Sequence, residues 1–141
     1  MVAVRPYEAR DEEKLIRLWE QVFPNAPAHN RPRNDIALKL KVQPELLFVA
    51  TQANQIIGSA MAGFDGHRGW VYYVAVHHDY RRKGIGTALM KQVESALKAI
   101  GCPKLNLQIR ADNHQVQAFY ESLGYWVEER ISMGKKLADR G

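Results

Sequence analysis

The feature that most narrows the fold lies between Leu46 and Ile100, where the hydrophobic period changes from two residues to about 3.6. "LLFVATQ" (Leu46–Gln52), "QIIGSAMAGF" (Gln55–Phe64) and "GWVYYVAV" (Gly69–Val76) read as three successive strands. The first two are separated only by Ala53–Asn54, a hairpin-sized gap. Then comes "YRRKGIGTALM" (Tyr80–Met90), three cations running into two glycines one residue apart. The spacing after it predicts a helix from Gly84 to Ile100. Ile85, Leu89, Val93, Ala96, Leu97 and Ile100 share one face, and Gly101 ends it. Strand, tight glycine turn and long amphipathic helix are thus written consecutively.

The flanks add to this centre. Val2–Tyr7 alternates weakly as a first strand, and a helix begins near Asp11 with Leu15, Leu18, Trp19 and Val22 as its buried stripe. Phe23–Pro32 is rich in proline and asparagine and reads as a loop. "RNDIALKLKV" suits a short helix with Ile36, Leu40 and Leu38 facing inward. Later, Lys104–Arg110 alternates as a strand, and Asn113–Leu123 forms a helix ended by Gly124. "YWVEERISMGKKL" supplies one or two terminal strands. The order β-α-α-β-β-β-α-β-α-β(β) implies an α/β protein with a mixed, mostly antiparallel sheet in one domain, residues 1–141.

Composition excludes several classes. With 46% apolar and 25% charged residues, the chain is an ordinary globular one, and its apolar runs are too short to span a membrane. "MVAVRPYEAR" lacks the layout of a secretory signal, and the single Cys102 fits a reducing cytoplasm, so a cytoplasmic location is expected. The net charge of +5 is concentrated beside the glycines at Arg81, Arg82 and Lys83. That placement favours a local anion site over a nucleic-acid coat, and no nucleic-acid partner is expected.

Gly84 and Gly86 let successive backbone N–H groups converge, and the helix start behind them adds its dipole. The spacing matches neither G-x-G-x-x-G, because Leu89 stands at the third position, nor a phosphate loop of the NTPase type. The stretch "YVAVHHDYRRKGIGTALM" resembles the acyl-CoA-binding motif of the GNAT superfamily, the GCN5-related N-acetyltransferases. "RADNHQVQAFYESLGY" (Arg110–Tyr125) is similar to that family's second motif, and closely so to its ribosomal-protein N-terminal acetyltransferases. The resemblance implies a sheet of about six or seven strands with about four helices.

It also implies acetyl-CoA as acyl donor and a primary amine as acceptor, with direct transfer in a ternary complex. The alternative is a CoA-binding sensor that keeps the fold with little or no turnover. By this resemblance, backbone N–H groups from Arg82 through Lys83, Gly84, Ile85 and Gly86 to Thr87 cradle the pyrophosphate. Arg81, Arg82 and Lys83 offer it charge, and the backbone of Val74, Ala75 and Val76 pairs with the pantetheine arm. Asn113 matches an asparagine that touches the coenzyme, and also reads as an N-cap. Tyr120 matches the tyrosine beside the thioester sulfur, a general acid for the leaving thiolate, and also reads as core. The acceptor is unidentified, a small molecule or a protein amine, and a homodimer is left open.

The general base is least defined. Where some branches carry a glutamate, this chain has Trp70, and where the ribosomal-protein enzymes carry a carboxylate it has Gln108. Asp65 and His67, in the turn "FDGHRG", are the nearest substitutes, with Tyr73 or a water chain as further candidates. No metal is expected, because adjacent His77 and His78 point to opposite faces of a strand.

Overall fold

The computed structural model describes residues 1–24 and 31–138, so most of the 23–32 loop lies outside the described residues. Two compact units are present, Met1–Leu107 and the part from Gln108 onward.

The first unit is built on a five-stranded sheet in the order β1 (Ala3–Pro6), β2 (Leu47–Gln52), β3 (Gln55–Phe64), β4 (Gly69–Val76), β5 (Leu105–Asn106). The first four strands run antiparallel to their neighbours, and β5 is parallel to β4. The β2–β3 hairpin turns at Ala53 and Asn54, both at positive φ, the conformation that matches the twist of a two-residue hairpin. Helices α1 (Glu12–Val22) and α3 (Ile85–Ala99) cover opposite faces. Two neighbouring residues of β3 show it, since successive strand residues point to opposite sides. A Cβ on Gly58 would meet Leu89 and Ile85 of α3, while the Ser59 hydroxyl meets Trp19 of α1.

Leu15, Leu18, Trp19 and Ile16 bury the inner stripe of α1 against Leu47, Val49, Ile56 and Ala75 of the sheet. Beneath α3, Ile85, Leu89, Met90, Val93 and Leu97 are buried. The periodicity places these faces well. It fails at Ile100, which is exposed because the helix has ended at Ala99.

It fails more instructively in α2 (Pro32–Lys39). Ile36 is buried as expected, but Leu38 and Leu40 are exposed and Lys39 is buried instead. Lys39 lies three residues after Ile36, on the same face, and its ammonium donates to the carbonyl of Ala62. Leu40 belongs to the turn that closes the helix, so its helical spacing no longer directs it inward.

The sheet is also smaller than expected. β5 pairs with β4 only at Gly69–Leu105 and Trp70–Asn106, so Lys104–Arg110 contributes two strand residues. β4 itself stays in register with β3 through Tyr72 and turns irregular only beyond it.

In the second unit, α4 (His114–Ser122) forms as expected, but none of the described residues from Tyr125 onward is in a strand. Val127, Ile131 and Met133 are exposed there. Alternation specifies which side chains could share a face, and it names no strand to complete the ladder.

Candidate active site

β4 carries the decisive irregularity. Tyr72 pairs with Met61 and Ala75 with Ser59, so Tyr73 and Val74 together oppose Ala60. This is a β-bulge, and Tyr73 takes φ +54, unusual for an aromatic residue. Before the bulge, Val71 shares a face with Ala62. After it, Ala75 shares the opposite face with Ser59. The extra residue therefore moves odd-numbered positions of β4 onto the side covered by α1. There the Tyr73 ring stacks on Trp19 with centroids 3.8 Å apart, and Phe23 meets it edge-on.

Buried hydrogen bonds hold the bulge. The fully buried Ser59 accepts from the Trp19 indole Nε1 at 2.8 Å and donates to the Tyr73 carbonyl at 2.7 Å. The Tyr73 hydroxyl donates to Asp35 Oδ2 of α2 at 2.7 Å. Helices α1 and α2 thus hold Tyr73 of β4 by its ring and its hydroxyl, and Ser59 of β3 holds its carbonyl.

At the end of β4, the chain passes through a short 3-10 turn, His78–Tyr80, into the cationic segment. Arg81 Nε donates to the carbonyl of Val76 at 3.3 Å, tying the loop to the strand. Lys83 sits over the Tyr80 ring, 5.6 Å from its centroid. Arg82 has φ +63 and Gly84 has φ +77, so two left-handed residues two apart fold the segment sharply. Gly84 is the N-cap of α3, and no side chain caps the first turn, which also lacks any acidic residue. A Cβ at Gly84 would meet nothing within 4 Å. Ile85 is buried, and Gly86 and Thr87 are partly exposed in the first turn. A cationic rim, converging backbone donors and open space in front of them suit a phosphate-bearing ligand.

The other sequence candidates fall elsewhere. Asp65 Oδ1 accepts the N–H groups of His67 and Arg68, both at 2.8 Å. Those two bonds, Arg68 first, hold its carboxyl below the usual range and make it a weaker base. The turn it closes precedes Gly69, four strand residues from Tyr73, or roughly 13 Å along β4. His67 is exposed in the same turn.

In the second unit, Asn113 caps α4, its Oδ1 accepting the Val116 N–H at 3.2 Å. Tyr120 is buried between the rings of Phe119 and Tyr125, and burial pushes its hydroxyl up to about 12. Among the described residues, no three His, Cys, Asp or Glu side chains are grouped to hold a metal ion.

The profile of the acetyltransferase (GNAT) family matches residues 11–125. The chain belongs to that family. An acetyltransferase of Yersinia enterocolitica is 44% identical over 134 residues, covering 95% of this chain and 94% of the relative. Among solved structures, the aminoglycoside N-acetyltransferase AAC(6')-Iy with a bisubstrate analogue bound superposes with a TM-score of 0.82 at 19% identity. That match covers 98% of this chain and 99% of the other, a likeness of fold. The ribosomal-protein-S18-alanine N-acetyltransferase of Escherichia coli gives 0.74 at 26% identity, over 88% of this chain and 77% of that one. GNAT membership covers the strand, bulge, glycine turn and helix described above.

Sequence reasoning missed three parts of this site. The bulge leaves no mark in residue type, since five of the six positions in "VYYVAV" are β-branched or aromatic and suit an uninterrupted strand. Ser59 reads as an unremarkable strand residue, and Asp35 reads as an ordinary acidic residue in a first helical turn. The signal that could have found Asp35 is its place one residue before Ile36, at the edge of the buried stripe.

Proposed function

We propose that this protein transfers the acetyl group of acetyl-CoA directly to a primary amine, through a ternary complex in the cytoplasm. The observation that carries the reading is the β4 bulge followed by the uncapped, cation-flanked start of α3. Backbone N–H groups from Arg82 to Thr87 would hold the pyrophosphate, with Arg81, Arg82 and Lys83 supplying charge. On the side of β4 that β5 pairs only at Gly69 and Trp70, Val74, Ala75 and Val76 would offer backbone groups to the pantetheine arm as an added strand.

The acceptor nitrogen forms the new C–N bond, the C–S bond breaks, and a thiolate leaves. Tyr120 is the proposed donor to that sulfur, with Asn113 a contact to the coenzyme from the same helix. With its hydroxyl at about 12, Tyr120 stays protonated at neutral pH. Complete proton transfer to a thiolate of ordinary basicity, about 8.5, would run uphill by roughly 5 kcal/mol. Tyr120 therefore acts as a hydrogen-bond donor to the developing charge, and solvent completes protonation. Overall, one ammonium and one thioester give one amide, one thiol and one released proton.

The test is thermal unfolding with acetyl-CoA, dephospho-CoA or NAD, on the native protein and on Gly84→Glu. At a hundred times its dissociation constant a ligand stabilises by about 2.7 kcal/mol, roughly 9 °C for a domain of this length. A shift with acetyl-CoA that the Gly84→Glu variant loses supports the reading. No shift at millimolar acetyl-CoA overturns it. A shift without thiol release for any amine assayed would leave a CoA sensor as the function.

A further inference from the structure

His77, the residue that follows the edge Val74–Val76, makes two side-chain bonds in different directions. It is the N-cap of the His78–Tyr80 turn, and its Nδ1 accepts the Asp79 N–H at 3.1 Å. A ring nitrogen that accepts carries no proton, so the proton of the imidazole sits on Nε2. The Asp79 carboxylate lies 4.0 Å from Nδ1, beyond hydrogen-bond reach. The side-chain amide of Gln21, in the last turn of α1, stands 3.0 Å from Nε2. Two N–H groups cannot bond to each other, so this amide offers its oxygen and accepts the Nε2 proton. One imidazole thus caps the turn with one nitrogen and braces it to α1 with the other. The His77 N–H is held as well, by the Ile57 carbonyl of β3 at 2.8 Å.

The segment that follows needs such a hold. Arg82 and Gly84 both take left-handed φ, and the arginine keeps it only where its surroundings fix it. Arg81 donates to the Val76 carbonyl, and Lys83 covers the Tyr80 ring. Both are cations that a pyrophosphate draws toward itself, so their grip on the turn loosens as the ligand arrives. His77 in this tautomer is uncharged and has no such competing claim. Its partner Gln21 stands two residues before Phe23, whose ring meets Tyr73 at the bulge. The last turn of α1 and its C-cap therefore touch both ends of the strand edge Val74–Val76.

We propose that His77 is a positioning residue for acetyl-CoA, shaping the turn through Nδ1 and setting it against α1, and so against the bulge, through Nε2. This rests on the reading that the glycine turn binds the coenzyme's pyrophosphate. The covalent length of the pantetheine arm fixes how far the thioester lies from that pyrophosphate. A brace between the loop and the helix that holds the bulge matches the protein to that length.

The experiment measures acetyl-CoA affinity by titration calorimetry, with the ligand-free melting midpoint of each protein. The variants are His77→Asn, His77→Ala, Gln21→Leu and the double variant His77→Asn with Gln21→Leu. Asparagine accepts the Asp79 N–H as imidazole does but is too short to reach Gln21. His77→Asn and Gln21→Leu should each bind acetyl-CoA about fivefold more weakly, the usual worth of one hydrogen bond. The double variant should bind no more weakly than either single one, because both remove the same bond. His77→Ala loses cap and brace together and should bind roughly 25-fold more weakly. Recovery by asparagine separates the cap from the brace, and the midpoints of His77→Asn and Gln21→Leu should stay within about 3 °C of native. Nitrogen NMR of the labelled imidazole should show Nδ1 unprotonated and Nε2 protonated.

Affinity of His77→Ala within about twofold of native, equal losses in His77→Asn and His77→Ala, or additive losses in the double variant would overturn the assignment. So would a proton on Nδ1. Where His77→Ala does not fold, His77→Asn and Gln21→Leu carry the test by themselves. A native protein that binds no acetyl-CoA overturns the coenzyme reading and this assignment together, whereas variants that bind like the native protein overturn this assignment alone.

Discussion

Ser59→Ala removes one oxygen from the bulge, and its cost follows from what that oxygen holds. The hydroxyl is fully buried, accepts from the Trp19 indole and donates to the Tyr73 carbonyl. Alanine fits the space without strain, so packing contributes little to the change. The loss is electrostatic: a buried donor loses its acceptor and a bulge carbonyl loses its donor. Each such group costs about 1–3 kcal/mol, and partial relaxation puts the pair at roughly 2–4 kcal/mol. For 141 residues, an unfolding entropy near 2.1 cal/mol/K per residue makes 1 kcal/mol worth about 3 °C, so the midpoint should fall by roughly 7–13 °C.

Differential scanning calorimetry reads that shift directly. A cycle with Trp19→Phe separates the two bonds, because the double variant has no indole donor left to strand. The double variant should be less destabilised than the sum of the singles. Strict additivity, or a drop under about 2 °C for Ser59→Ala, would refute the idea that this hydroxyl holds the bulge. A weaker acetyl-CoA shift in the folded variant is expected as well, since the strand edge offered to the pantetheine arm begins at the bulge.

Other perturbations follow from single groups. Burial would raise the Asp11 carboxyl, but paired hydrogen bonds from Arg5 at 2.8 and 2.9 Å and one from the Glu8 N–H bring it below its ordinary 3.8. Its stabilisation is present above that value and lost as pH falls through the lower folded one. Acid titration of stability should show this loss, and Asp11→Asn should flatten it. Burial lowers the ammonium of Lys39 below its ordinary 10.5, so the folded state releases its proton first. Stability should therefore gain as pH rises toward 10.5, and Lys39→Met should remove that gain in urea titrations at alkaline pH. Tyr120→Phe should lower kcat by about tenfold or more with acetyl-CoA binding kept, as for loss of one donor to developing charge. An unchanged kcat would remove Tyr120 from the reaction.

Much of the frame was legible because period and punctuation coincide. Gln55–Phe64 and Gly69–Val76 are strands with the limits their alternation implied, and α3 starts where Gly84 marks it. Leu15, Trp19, Leu89 and Val93 were readable as core from spacing alone. What escaped was whatever depends on a partner distant in sequence. The burial of Lys39 rests on a carbonyl 23 positions away, and the Asp35–Tyr73 contact spans 38. The length of β5 depends on its pairing with β4, which residue types in Lys104–Arg110 do not encode. Exposed Val127 and Ile131 show the opposite failure, a strand-like pattern with no ladder behind it among the described residues.

The bulge also makes this protein depend on a number as much as on an alphabet. From Val71 to Val76 the chain spends six residues opposite the five from Gly58 to Ala62. Deleting either Tyr73 or Val74 would restore a one-to-one ladder and remove a left-handed tyrosine, giving a more regular sheet. It would also return Val71 and its successors to uninterrupted alternation, so that Trp19, Ser59 and Asp35 would no longer meet Tyr73 on their side of the sheet. Selection on such a chain must therefore guard spacing against a change that sheet stability alone would favour, and a graft of β4 into another scaffold must carry its count before its composition.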